Sequence, residues 1–120
     1  MALILVVDDE ASIRSFLRRT LSLYGHEVMV GETGLQAVEI TAERCPDLMI
    51  LDYNLPGLDG LEVLEAVARR CPSHKVLMLT GREDHEVEDR AVALGVGAFV
   101  QKPIDLNRLI ALVDALLESP

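Results

Sequence analysis

The sequence predicts an α/β domain, a parallel sheet layered between helices on both of its faces. Three observations carry that prediction. Short, unalternating apolar runs such as Leu3-Ile4-Leu5-Val6-Val7 and Leu48-Met49-Ile50-Leu51 have the branched-rich character of strands buried on both faces. Segments of helical period separate the runs from one end of the chain to the other. Three acidic residues, Asp8, Asp9 and Asp52, stand where two of the runs stop. On a parallel sheet those stops share one edge, which is where ligands bind.

The elements follow in order. After the first strand, Ile13, Phe16, Leu17, Leu21 and Tyr24 recur at three- and four-residue steps, and Gly25 stops that helix. Residues 27–30 (Glu-Val-Met-Val) form a second strand. Thr33 and Gln36 have the spacing of a capping box, opening a helix whose apolar positions are Leu35, Val38 and Ala42. Pro46 bars its continuation, and the third strand covers 47–51. The stretch 52–60, Asp-Tyr-Asn-Leu-Pro-Gly-Leu-Asp-Gly, is a loop by its proline and glycines. Asp59 caps a third helix carrying Leu61, Leu64, Val67 and Ala68, which ends before Pro72. Val76 to Leu79 makes a fourth strand ending at Thr80. A charge-rich helix over 86–94, with a weak stripe of Val87, Ala91 and Leu94, closes at Gly95. The fifth strand, 98–100, leads to Lys102-Pro103. Asp105 then caps a last helix bearing Leu106, Leu109, Ile110, Val113, Leu116 and Leu117 on one face. The crossovers between parallel strands are expected to be right-handed.

At 120 residues, half of them hydrophobic, the chain is expected to be one domain spanning 1–120 with a real core. The closing Glu118-Ser119-Pro120 reads either as a true end or as a linker cut from a longer chain after about residue 118. No apolar run approaches a membrane span and no basic leader precedes the first strand, so a soluble cytoplasmic domain without membrane contact is expected. The net charge of −9 argues against direct contact with nucleic acid, whose grip rests on phosphate neutralisation. Cys45 and Cys71 each follow an arginine and precede a proline at a helix end, and lack metal-ligand spacing. Both are expected to be ordinary reduced thiols. His26, His74 and His85 are scattered and are read as solvated or packed.

The strand ends deliver Asp8 and Asp9, Asp52, Thr80 and Lys102 to one edge. Carboxylates gathered that closely repel one another unless a proton or a cation relieves them. A hard divalent ion with oxygen ligands, magnesium before manganese, suits them. Asp52 as an ionised carboxylate can attack phosphorus and form an acyl phosphate. Asp8 and Asp9, with the side chain of Asp52 and the backbone carbonyl of Asn54, are the expected magnesium ligands. Lys102 is a flexible point charge suited to a phosphoryl oxygen. Thr80 offers a hydroxyl, and Gly81 beside it leaves the approach to Asp52 open. An isolated Asp-Asp is commonly a solvated helix cap, and a lone threonine or lysine means little. That bland account has to hold at four strand ends at once.

With these residues in view, the chain resembles the receiver domain of two-component response regulators, of the chemotaxis-regulator type. The resemblance runs the full length. It rests on Val6-Val7-Asp8-Asp9-Glu10, on 51–60 (Leu-Asp-Tyr-Asn-Leu-Pro-Gly-Leu-Asp-Gly), on Leu79-Thr80-Gly81 and on Lys102-Pro103, in order and at the family's spacing. It implies a flavodoxin-like, doubly wound (βα)5 three-layer sandwich with sheet order 2-1-3-4-5. Helices one and five then lie on one face and the other three opposite. It implies that Asp52 receives a phosphoryl group from a phosphohistidine on a sensor kinase or phosphotransfer protein. Asp9 is then the direct metal ligand and Asp8 acts more often through water. Thr80 is the switch hydroxyl, Lys102 contacts the phosphoryl group, and Pro103 follows a peptide bond that is usually cis. Phe99 takes the place of the aromatic switch residue, often tyrosine in the family, and offers partners no hydroxyl. Asn54 and Arg82 occupy positions flanking the route of the attacking water. The output surface implied is the fourth helix, fifth strand and fifth helix, in a monomer or weak dimer.

Two other functions compete. An aspartate-nucleophile phosphatase also puts its nucleophile at a strand end with magnesium, but usually carries a second carboxylate two positions on. Asn54 stands there and cannot move the proton. A flavodoxin-like cofactor binder would want a glycine- or hydroxyl-rich loop after the first strand, where this chain has Asp-Asp-Glu.

Overall fold

In the computed structural model, which describes residues 1–81 and 84–119, strands and helices alternate throughout. The order is β1 (Leu3–Val7), α1 (Ala11–Leu23), β2 (Glu27–Gly31), α2 (Gly34–Glu43), β3 (Leu48–Asp52), α3 (Gly60–Arg70), β4 (Lys75–Thr80), α4 (His85–Ala93), β5 (Val96–Gln101) and α5 (Leu106–Glu118). Among the described residues the five strands form one sheet in the order β2-β1-β3-β4-β5, every neighbouring pair parallel. Arg82 lies outside the described residues.

Alternate side chains of each strand feed two cores. Ile4, Val6, Leu48, Ile50, Leu77 and Leu79 meet Leu17 and Leu21 of α1 and Leu109 and Val113 of α5. Leu5, Val7, Met49, Leu51 and Met78 meet Ala37 of α2, Leu61, Val63, Leu64 and Val67 of α3 and Ala91 of α4. The inner strands β1 and β3 are buried along their whole length, which is why they read as continuous apolar runs rather than alternating ones.

Local signals set the boundaries. Gly25, with φ of +90°, and Gly95, with φ of +99°, stand just past the ends of α1 and α4 in the left-handed conformation that glycine takes without strain. The Asp59 side chain accepts from the Glu62 backbone N–H at 2.9 Å while Glu62 Oε1 accepts from the Asp59 N–H, a complete capping box. The box expected at α2 is only half formed. Thr33 Oγ1 accepts from Gln36 N at 3.1 Å, but Gln36 Oε1 reaches past it to the N–H of Glu32 at 2.7 Å.

Three expectations need correction. Beyond β1, which covers the expected residues, strand bounds differ: β3 is shifted one residue later than 47–51, and β5 extends beyond 98–100 to include a register irregularity opposite Val76 and Leu77. The buried face of α2 is Gly34, Ala37 and Thr41, whereas Leu35 is 61% exposed and Ala42 is exposed as well. A Cβ added at Gly34 would lie 2.7 Å from Val63 Cγ2 and 3.0 Å from Leu58 Cβ, so α2 approaches α3 too closely for a large side chain. The third correction concerns the cysteines. Cys45 and Cys71 are joined in a disulfide with Cα atoms 5.6 Å apart. The two Arg-Cys-Pro triplets end neighbouring helices, and the packing of α2 on α3 brings those ends together across 26 residues of sequence. Among the described residues, no helix is long and apolar enough to cross a membrane.

Candidate functional site

Strand register places the acidic residues side by side. Val7 of β1 pairs with Leu51 of β3, so the next residues, Asp8 and Asp52, emerge together at the carboxyl edge. On the other side Asp52 pairs with Leu79, which sets Thr80 one step further out on β4. The backbone N–H of Lys102 donates to the Thr80 carbonyl at 2.8 Å, fixing the loop after β5 against the same edge. The Lys102–Pro103 peptide is cis.

The carboxylates do not share the pocket equally. Asp8 is fully buried and Asp52 is 3% exposed, while Asp9 and Glu10 are exposed. The Lys102 ammonium sits among them, with Nζ 3.0 Å from Asp8 Oδ2, 3.1 Å from Asp52 Oδ2 and 3.1 Å from Glu10 Oε1. Backbone N–H groups take the remaining oxygens: Glu10 N donates to Asp8 Oδ1 at 2.9 Å and Asn54 N to Asp52 Oδ1 at 3.0 Å. Arg14 Nη1 donates to the Asp8 carbonyl and Nη2 to Glu32 Oε1, bracing the turn into α1.

Electrostatics follows from this arrangement. Burial pushes the Asp8 carboxyl above its usual value, the charge of Asp52 adds to the rise, and the Glu10 N–H and Lys102 pull against it. For Lys102, burial disfavours the ammonium, but its contacts with the Asp8, Asp52 and Glu10 carboxylates outweigh it and the net shift is upward. Lys102 therefore stays charged and serves as counter-ion to the cluster.

The donor set also suits a divalent ion. Asp8, Asp9 and Glu10 each offer a carboxylate oxygen within 4.8 Å of the others. Asp8 Oδ2 is buried and meets Lys102 as an ion pair, but no aligned hydrogen bond satisfies it. A partly satisfied, deeply buried carboxylate oxygen beside two exposed ones is chemistry that a hard cation fits.

Other residues border the site. Thr80 is 9% exposed and lines two clefts. One, of about 140 Å³, is bounded by Tyr53, Asn54, Gly81, Asp84, Val87 and Glu88. The other, of about 500 Å³, runs past Glu88, Phe99, Gln101, Asp105 and Arg108, so Phe99 stands half-buried behind Thr80. Among the described residues, a Cβ at Gly81 would meet only Asn54 Nδ2, at 3.7 Å. Glu10 is the residue that the sequence reading did not place in the site. Its position directly after the acidic doublet was the available signal.

Residues 4–114 match the family model for the response regulator receiver domain. The chain belongs to that family. Among curated proteins, the receiver is 40% identical over 116 residues to the response regulator MprA of Mycobacterium ulcerans, covering 95% of this chain and 49% of that protein. MprA of Mycobacterium leprae is 39% identical over the same length, covering 95% of this chain and 50% of the relative. The chain thus spans about half the length of the curated relatives it matches. Among solved structures, the receiver domain of NtrX from Brucella abortus is 35% identical with a TM-score of 0.89, covering 98% and 99% of the two chains. A CheY-like receiver domain protein from Methanospirillum hungatei has a TM-score of 0.94 at 26% identity, covering 98% of this chain and 94% of its own. The protein is a receiver domain of the two-component type, a regulatory family whose standard role is to accept a phosphoryl group.

Proposed function

We propose that Asp52 is the phosphoacceptor and that residues 1–120 act as one receiver unit. The observation that carries the reading is the sharing of one ammonium, Lys102 Nζ, between buried Asp52 and buried Asp8 at the sheet edge. The Asp52 carboxylate attacks the phosphorus of a phosphohistidine on a sensor kinase or phosphotransfer protein. The P–N bond breaks, the imidazole takes up a proton, and an acyl phosphate remains. Asp8 and Asp9, with the Asp52 side chain and the Asn54 carbonyl, would hold magnesium or manganese, and the Glu10 carboxylate lies near enough to Asp8 and Asp9 to join them. When bound, the metal neutralises the carboxylates and the phosphoryl oxygens together.

Lys102 turns from the carboxylates to the new phosphoryl group, and Thr80 donates its hydroxyl to the same group. These contacts favour one of two packings of the strand edge, with Phe99 moving into the space behind Thr80. Loss of the group by hydrolysis resets the domain, with Asn54 and Gly81 beside the route of the water. The surface formed by α4, β5 and α5 carries the output, to an attached domain or a separate target. The unit works in the cytoplasm as a monomer or weak dimer.

The test is transfer of radiolabel from a phosphorylated histidine kinase to the parent and to Asp52→Asn, with circular dichroism as the check on folding. The variant should fold and take up no label. Undiminished label on the folded variant would rule out Asp52.

A further inference from the structure

The Cys45–Cys71 disulfide lies far from the acceptor along the strands. Cys45 sits just ahead of β3, and Cys71 is the C-terminal cap of α3, ahead of β4. Asp52 closes the opposite end of β3. The two residues differ in exposure: Cys45 is exposed, whereas Cys71 is 3% exposed. Carbonyl oxygens surround both. Thr41 O lies 3.9 Å from Cys45 Sγ and 3.8 Å from Cys71 Sγ, and Arg70 O lies 3.6 Å from Cys45 Sγ. In the dithiol form these oxygens are ready acceptors for the two S–H groups, so reduction leaves no buried sulfur without a polar neighbour. A second tie, from Arg70 Nη1 to the Val38 carbonyl at 3.1 Å, joins α3 to α2 without involving either cysteine. The surroundings therefore accommodate both the bonded and the free state.

We propose that Cys45 and Cys71 form a reversible thiol–disulfide site, open to small-molecule disulfides through Cys45, which pins the C-terminal ends of α2 and α3 when oxidised. The Cys45 thiolate attacks one sulfur of an external disulfide, RSSR, and expels RS⁻. The Cys71 thiolate then attacks Cys45 Sγ and expels the second RS⁻. Two protein thiols lose two electrons and two protons, and one RSSR becomes two RSH. Reduction is the reverse, with an external thiolate attacking Cys45 Sγ, on the exposed residue of the pair, and buried Cys71 leaving.

The folded protein is equilibrated with glutathione from fully reduced to fully oxidised, quenched with acid, labelled with a maleimide and weighed by mass spectrometry. Both protein forms should interconvert across that series, approached from either side. The oxidised form should melt higher by on the order of 10 °C, the size expected from closing a loop of this length. Cys45→Ser, at the exposed position, should fold, carry one free thiol and melt at one temperature regardless of the buffer. A pair that stays reduced in oxidised glutathione, or stays bonded in excess reduced glutathione, overturns reversibility. Equal melting temperatures for the two forms overturn the pin.

Discussion

At the scale of single residues the account turns on Lys102, which balances three carboxylates with one charge. Removing it leaves Asp8 and Asp52 buried without a counter-ion, a situation that costs about 3 kcal/mol in comparable pairs. Lys102→Met should therefore melt lower than the parent in a chelator. The same substitution removes a cation that competes with the metal, so calorimetric titration should find tighter magnesium binding in the variant than in the parent. Weaker binding would mean that Lys102 assists the metal instead of standing in for it. Asp8 gives a second prediction. Its carboxyl holds a proton more firmly when folded, so its contribution to stability is present below the ordinary value of 3.8 and is lost as pH rises through the raised folded value. Magnesium binds the ionised form, so the gain in melting temperature on adding it should grow as pH rises above the ordinary value of 3.8. At ten times the dissociation constant that gain corresponds to about 1.4 kcal/mol at neutral pH. A gain independent of pH would place the ion elsewhere.

At the scale of elements, the caps and the close helix contact make separate claims. Asp59→Ala deletes the side-chain acceptor of the α3 capping box, leaving only the Glu62 bond to the backbone N–H of residue 59, and should cost about 1 kcal/mol in chemical denaturation. At Gly34, alanine would ordinarily favour a helix, but its Cβ would enter Val63 and Leu58. Gly34→Ala should thus destabilise by about 1–3 kcal/mol, and a stabilised variant would show that α2 can withdraw freely. These elements also show what the sequence made legible. Every strand and helix was visible in the alternation of apolar runs and helical periods, because a sheet buried on both faces leaves that mark directly. The inward side of α2 was not, since Gly34, Ala37 and Thr41 were chosen by size where two helices nearly touch. Hydropathy favoured Leu35, which faces out. The shared pocket of Asp8, Asp52 and Lys102 followed from their positions at strand ends. The contact of Glu10 with Lys102 depends on how the loop turns into α1, which spacing does not encode.

At the scale of the whole molecule, an acidic domain concentrates its most deeply buried charges at one edge of the sheet and is cross-linked at the other end of β3. Sequence could not reveal the cross-link, because pairing across 26 residues depends on the packing of α2 on α3. Closing such a loop restricts the unfolded chain by about 3.5 kcal/mol, a sizeable fraction of the stability of a domain this small. The acceptor edge carries the central claim, and chemical trapping tests it most directly. The folded protein is exposed to a small acyl phosphate with and without magnesium, reduced with borohydride to convert any aspartyl phosphate to homoserine, and mapped by mass spectrometry. The account predicts conversion at Asp52 alone, abolished by a chelator. Conversion at another carboxylate, or at Asp52 regardless of magnesium, would contradict it.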